Sequence, residues 1–105
     1  MIGNIFAQKP FSFGESKTWA ESAAVTAVEQ SVAVPGVKVG DIVLVQKPTH
    51  QSGLAVGGVA RCDADGTLKV MFINPTAGAL TATAEESYTG CILRPELPLQ
   101  PNATV

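Results

Sequence analysis

The residues of this 105-residue chain whose types could carry chemistry are His50, Ser52, Cys62, Cys91 and the acidic pairs Asp63/Asp65 and Glu85/Glu86. A Ser-His-Asp relay would have to run through His50, the single histidine. Ser52 shares its polar stretch, Thr49 to Gly53, but there is no G-x-S-x-G elbow and no acid close by in sequence. This favours a solvated loop histidine. One His and two Cys lack the paired-ligand spacing of a zinc site, so no metal is expected. Asp63-x-Asp65-Gly66 echoes the start of a calcium loop, yet lacks the third ligand and the distant Glu. A hairpin turn accounts for the same residues. Glu85 and Glu86 are adjacent, so an extended chain points them to opposite sides. Gly53 with Gly57-Gly58 is not followed by a helix that could hold a phosphate. The sequence therefore predicts no catalytic residues, no cofactor and no enzyme.

The elements that carry these residues read as β-structure. Ala24 to Val34 alternates, with Val28, Gln30, Val32 and Val34 on one face. Pro35-Gly36 and Gly40-Asp41 read as turns, with Val37 to Val39 a short extended piece between them. Ile42 to Val45 is a continuous apolar run, which predicts a strand buried on both faces and stopped by Lys47-Pro48. Leu54 to Cys62 is a strand interrupted at Gly57-Gly58, where a bulge or a close backbone approach is expected. Asp63 to Gly66 is the clearest hairpin turn, answered by Thr67 to Ile73 and ended by Asn74-Pro75. Thr76 to Glu86 reads as a loop and Tyr88 to Leu93 as the last strand. The expected fold is all-β: a small antiparallel sandwich or barrel of about six strands. Its inter-sheet core is predicted from Val32, Val34, Ile42, Leu44, Leu68, Val70, Phe72, Tyr88 and Ile92. Positive φ is expected at two or more of Gly36, Gly40 and Gly66.

The length allows one domain. It divides into an N-terminal arm (1–22), a β-domain (23–94) and a tail (95–105) holding Pro95, Pro98 and Pro101. Within the arm, Ser16 to Ala24 has the composition for a helical turn or two. A net charge of −2, with no run of Lys or Arg, argues against nucleic-acid binding. No stretch is long and apolar enough for a membrane span, and the start does not read as a signal peptide. A cytoplasmic origin is expected. Cys62 and Cys91 are read as reduced small hydrophobes, with a single disulfide the alternative in an oxidising compartment.

Four of the six aromatic residues, Phe6, Phe11, Phe13 and Trp19, precede position 20. Most of the ring area thus rides on an arm that shows no clear strand alternation. The arm either folds back to cap an open sheet or lies on a partner. The second alternative makes Phe6, Phe11, Phe13 and Trp19 partner-binding anchors, because buried rings dominate interface energy.

The phrases Val34-Pro35-Gly36-x-x-x-Gly40-Asp41, Asp65-Gly66-Thr67-Leu68, Phe72-x-Asn74-Pro75-Thr76-Ala77-Gly78 and Glu86-x-Tyr88-Thr89 lie in residues 30–95, about two thirds of the chain. This stretch resembles the small cement, or decoration, proteins of tailed bacteriophages. The resemblance implies a non-enzymatic virion structural protein on the outer capsid surface, assembled in the host cytoplasm. It also implies the major capsid protein as partner and a homotrimer as the oligomeric state. The matching positions are turns and strand ends, so no functional residue carries over. The alternative is a receptor- or carbohydrate-binding module of a phage tail or fibre. That would call for aromatic residues in loops 49–53 and 76–86, which have none.

Overall fold

The structure is a computed structural model that describes residues 6–95, with side chains from 9 to 94. The fold is all-β and antiparallel, without a helix among the described residues. Its strands are β1 (Phe6–Phe13), β2 (Glu21–Ser22), β3 (Thr26–Ala33), β4 (Ile42–Gln46), β5 (Ala55–Val56), β6 (Val59–Ala64), β7 (Thr67–Asn74), β8 (Leu80–Thr81) and β9 (Tyr88–Pro95). The main sheet has the order β1-β9-β4-β6-β7-β3, with β5 also on β7. The short strands β2 and β8 pair with each other.

One face of this sheet makes the core. Phe13, Val32, Val43, Val45, Ala60, Leu68, Val70, Phe72, Tyr88 and Ile92 are buried there, so every long strand contributes alternate residues. The inward faces of β1 and β3, the two ends of the order, bury into this single core. The sheet is therefore coiled on itself. A chain of tilted rings runs through it: Phe11–Phe13 at 5.6 Å, Phe13–Tyr88 at 5.4 Å, Tyr88–Trp19 at 5.4 Å and Trp19–Phe72 at 4.9 Å.

The arm requires a correction. Phe6 to Phe13 is a full strand in register with β9, from Phe6 opposite Pro95 to Phe13 opposite Tyr88. Phe13 and Trp19 are 4% and 2% exposed, inside their own domain. They are core residues and are not available as anchors for a partner. Phe11 is half-buried and lies across Gly90, its register partner. A Cβ at Gly90 would sit 2.3 Å from the Phe11 ring. A glycine facing a ring across an antiparallel pair lets the ring cover the backbone. The Phe6 side chain, Pro98 and Pro101 lie outside the described side chains. The helical turn expected in Ser16 to Ala24 is replaced by a loop and β2. Part of the loop expected at 76–86 is β8, the partner of β2.

The run Ile42 to Val45 is also corrected. It alternates, with Val43 and Val45 inward and Ile42 and Leu44 outward, because only one face of the sheet meets the core. Ile42 and Leu44 thus leave the predicted core, while the other seven residues of that list are buried.

The turns follow the sequence signals. Gly36, Gly40 and Gly66 all have positive φ (100°, 95° and 81°). Asp65-Gly66 joins β6 to β7, with Ala64 opposite Thr67 and a register shift between Arg61 and Ala64. Gly57 is the expected close approach. Its N–H donates to the Met71 carbonyl at 2.9 Å, and a Cβ there would be 3.2 Å from Met71 Cβ.

Candidate functional site: an apolar outer face

The chemistry-bearing residues are dispersed. His50 and Ser52 are both exposed in their loop. Among the described residues, no three His, Cys, Asp or Glu side chains gather closely enough to hold a metal ion. Asp65 Oδ1 accepts the Val39 N–H at 3.0 Å, tying the hairpin to the Pro35–Asp41 loop. Asp63 lies 3.8 Å from Arg61, which is paired with Glu29 at 2.7 Å. Glu86 accepts from Lys47 Nζ at 2.7 Å and from the Thr49 hydroxyl. These donors, Lys47 first, hold its carboxyl below the usual range. Glu85 is exposed.

Cys62 and Cys91 face opposite sides of the sheet. Cys62 is in the core, its thiol pushed up by burial and donating to the Ala64 carbonyl at 3.2 Å. Cys91 stands opposite the outward Leu44 and is half-buried. Side chains on opposite faces of a sheet do not meet, so both remain thiols in this fold.

The residues behind the sequence phrases prove to be fold residues. Asp41, nearly enclosed, takes a two-point contact from Arg94 (2.7 and 2.6 Å) and the Lys38 N–H at 2.9 Å. Arg94 also donates to the Gly36 carbonyl at 2.8 Å, which pins the Pro35–Asp41 loop to the end of β9. The Arg94 contact is the main cause of the lowered Asp41 pKa. Asn74, fully buried, is a five-bond hub. Its Nδ2 donates to the carbonyls of Ser22, Ala23 and Gly78, and its Oδ1 accepts from the N–H and hydroxyl of Thr76.

The outer surface carries the feature that sequence reasoning missed. Leu44 is flanked by Val59 of β6 and Cys91 of β9, and Cys91 in turn by Pro10 of β1. This is an apolar row across four adjacent strands. Ile42, opposite Leu93, lies one step along. Ile42, Leu44 and Val59 are 43%, 44% and 63% exposed. Directly opposed residues share a face at roughly 5 Å, so the row is contiguous. The outward face of a single-core antiparallel sheet ordinarily alternates to polar residues. Here polar groups lie at the side, where the Arg61–Glu29 pair and Met71 border the same shallow depression as Ile42 and Val59. The signal was present in the sequence, as the apolar run 42–45. It was assigned to a strand buried on both sides within its own domain.

No protein family, curated protein or solved structure matches this chain.

Proposed function

We propose that this chain is a non-enzymatic structural protein of a phage virion. It is a cement protein that binds the outer surface of the capsid as a homotrimer and stabilises the shell by bridging major capsid subunits. The observation that carries this is the outward row of Pro10, Cys91, Leu44 and Val59 with Ile42 and Leu93 beside it. A contiguous apolar patch on a small domain marks a docking surface. It takes over the role that the sequence had suggested for Phe13 and Trp19. The sequence resemblance supplies the kind of partner, and many copies on a symmetric shell would add their weak contacts.

The test uses Leu44→Glu and Val59→Glu. Both point outward, so the fold should survive, as a thermal melt would verify. Wild type should co-sediment with empty capsids of the cognate phage, and both variants should stay in the supernatant. Wild type that fails to pellet would sink the proposal. Glycan binding on an array would instead favour the tail-module alternative.

A further inference from the structure

Among the described residues the coiled sheet does not close: its end strands β1 and β3 are each paired on one side only. Part of the seam between them is bridged by the connection after β1. There Gln30 of β3 bonds to Ala20, and Trp19 fills the core behind. Beside this bridge the seam opens into a groove of about 570 Å³, running between Lys9–Lys17 and Val32–Pro35. Phe11, Phe13, Val32, Val34 and Ile92 line it, so it is bounded by apolar side chains between β1 and the end of β3. Such a slot suits an extended segment that places alternate apolar side chains in it.

We propose that this groove receives the segment 96–101 of a second copy of the chain. The inference rests on the homo-oligomer element of the reading above and names the contact that would hold the oligomer. The chain beyond β9 reads Glu96-Leu97-Pro98-Leu99-Gln100-Pro101. In an extended chain Leu97 and Leu99 fall on one side, matching an apolar slot. Pro98 and Pro101 exclude a helix. At the groove β3 presents only Val32 and Ala33, and Pro10 removes one donor from β1, so apolar contact contributes more than backbone pairing. Charge agrees. Lys9 and Lys17 outnumber Glu15 in the lining, and Glu96 is the one charged side chain of the tail.

The exit point favours a second copy over the same chain. Pro95 stands opposite Phe6, with β1 on one side of β9 and β4 on the other. The groove of the same chain lies across β1, so its own tail would have to reverse at once and cross β1. Arg94 and Leu97 each precede a proline, which biases them to extended backbone and against that reversal. At about 3.1 Å per residue, the ten residues after Pro95 reach about 30 Å, enough to enter a neighbour.

The experiment places a photoreactive benzophenone side chain at Leu99 in the full-length protein. Heavy- and light-isotope preparations are mixed, irradiated and mapped by mass spectrometry. Heavy-to-light cross-links onto Phe11–Lys17 or Val32–Pro35 are expected. Links confined to one chain, links elsewhere or no links would overturn the proposal. In parallel, the full-length Leu97→Asp, Leu99→Asp double variant should associate about tenfold or more weakly by sedimentation, with its thermal unfolding as a monomer unchanged. A monomeric wild type, or undiminished association of the variant, would reject it. Wild type that exchanges tails but fails to pellet with capsids would sink the cement proposal alone.

Discussion

The side-chain amide of Gln30 takes the place of a neighbouring strand for Ala20. Its Nε2 donates to the Ala20 carbonyl at 2.9 Å, and its Oε1 accepts the Ala20 N–H at 2.7 Å. One buried amide thus satisfies both backbone groups of a residue that no strand pairs. It fastens the β1–β2 connection to the free side of β3. Gln30→Ala removes both bonds and leaves a gap. We expect a loss of about 1–3 kcal/mol in denaturant unfolding, with the whole domain still unfolding in one step. An unchanged midpoint would show that the clip contributes nothing.

Trp19 follows from the same connection. It packs against Phe72 and Tyr88, with the Lys17 ammonium 5.5 Å from its ring centre. Trp19→Ala should cost about 3–5 kcal/mol, as for other large-to-small core changes. Deleting residues 1–19 should unfold the domain, because it removes β1 with two buried rings. A stable, cooperative melt of that truncation would contradict the placement of β1.

Val25 stores strain at the surface. It is β-branched, 74% exposed, and held at φ 52° with its N–H bonded to the Thr76 carbonyl at 3.1 Å. Left-handed backbone costs such a residue about 1–2 kcal/mol. Val25→Asn keeps the bond and tolerates this conformation, so it should raise the melting temperature. A fall would mean that Val25 has a packing role that its exposure conceals.

Tyr88 sets an alkaline limit. Burial, with a smaller contribution from the Glu86 charge, pushes its hydroxyl from 10 up to about 12. The folded state therefore favours the neutral phenol, while the unfolded chain ionises near pH 10. The associated stability is complete below pH 10 and is lost as pH rises from there towards 12. Melts across that range should show the decline, and Tyr88→Phe should flatten it. Tyr88 is the chain's single tyrosine, so phenolate absorbance reports on it alone. Phenolate appearing near pH 10 in the folded protein would refute the raised value.

The all-β class and most turns were legible because they depend on local chemistry. Gly36, Gly40 and Gly66 adopt backbone that glycine permits, and Asn74-Pro75 ends β7. The inward faces of β3 and β7 were legible from alternation. β1 was not, because Pro10 and Gly14 bracket a stretch of irregular hydrophobicity whose partner, β9, lies at the far end of the sequence. The outward apolar row was hidden for a related reason. An apolar run such as Ile42 to Val45 looks the same whether its second face meets the domain's own core or a partner. Only the long-range placement of β4 between β9 and β6 separates the two.

The antiparallel pairing of β1 with β9 has a mechanical consequence. Phe6 and Pro95 are register partners, so both ends of the described chain leave from one corner of the sheet. Tension applied between those ends would not load the ladder in shear. It would peel the two strands apart one rung at a time, from Phe6–Pro95 towards Phe13–Tyr88, since antiparallel bonds lie perpendicular to the strands. The ladder between Phe6 and Pro95 is therefore the mechanically weak direction of this fold, and a load spread over the faces of the sheet would meet many bonds at once.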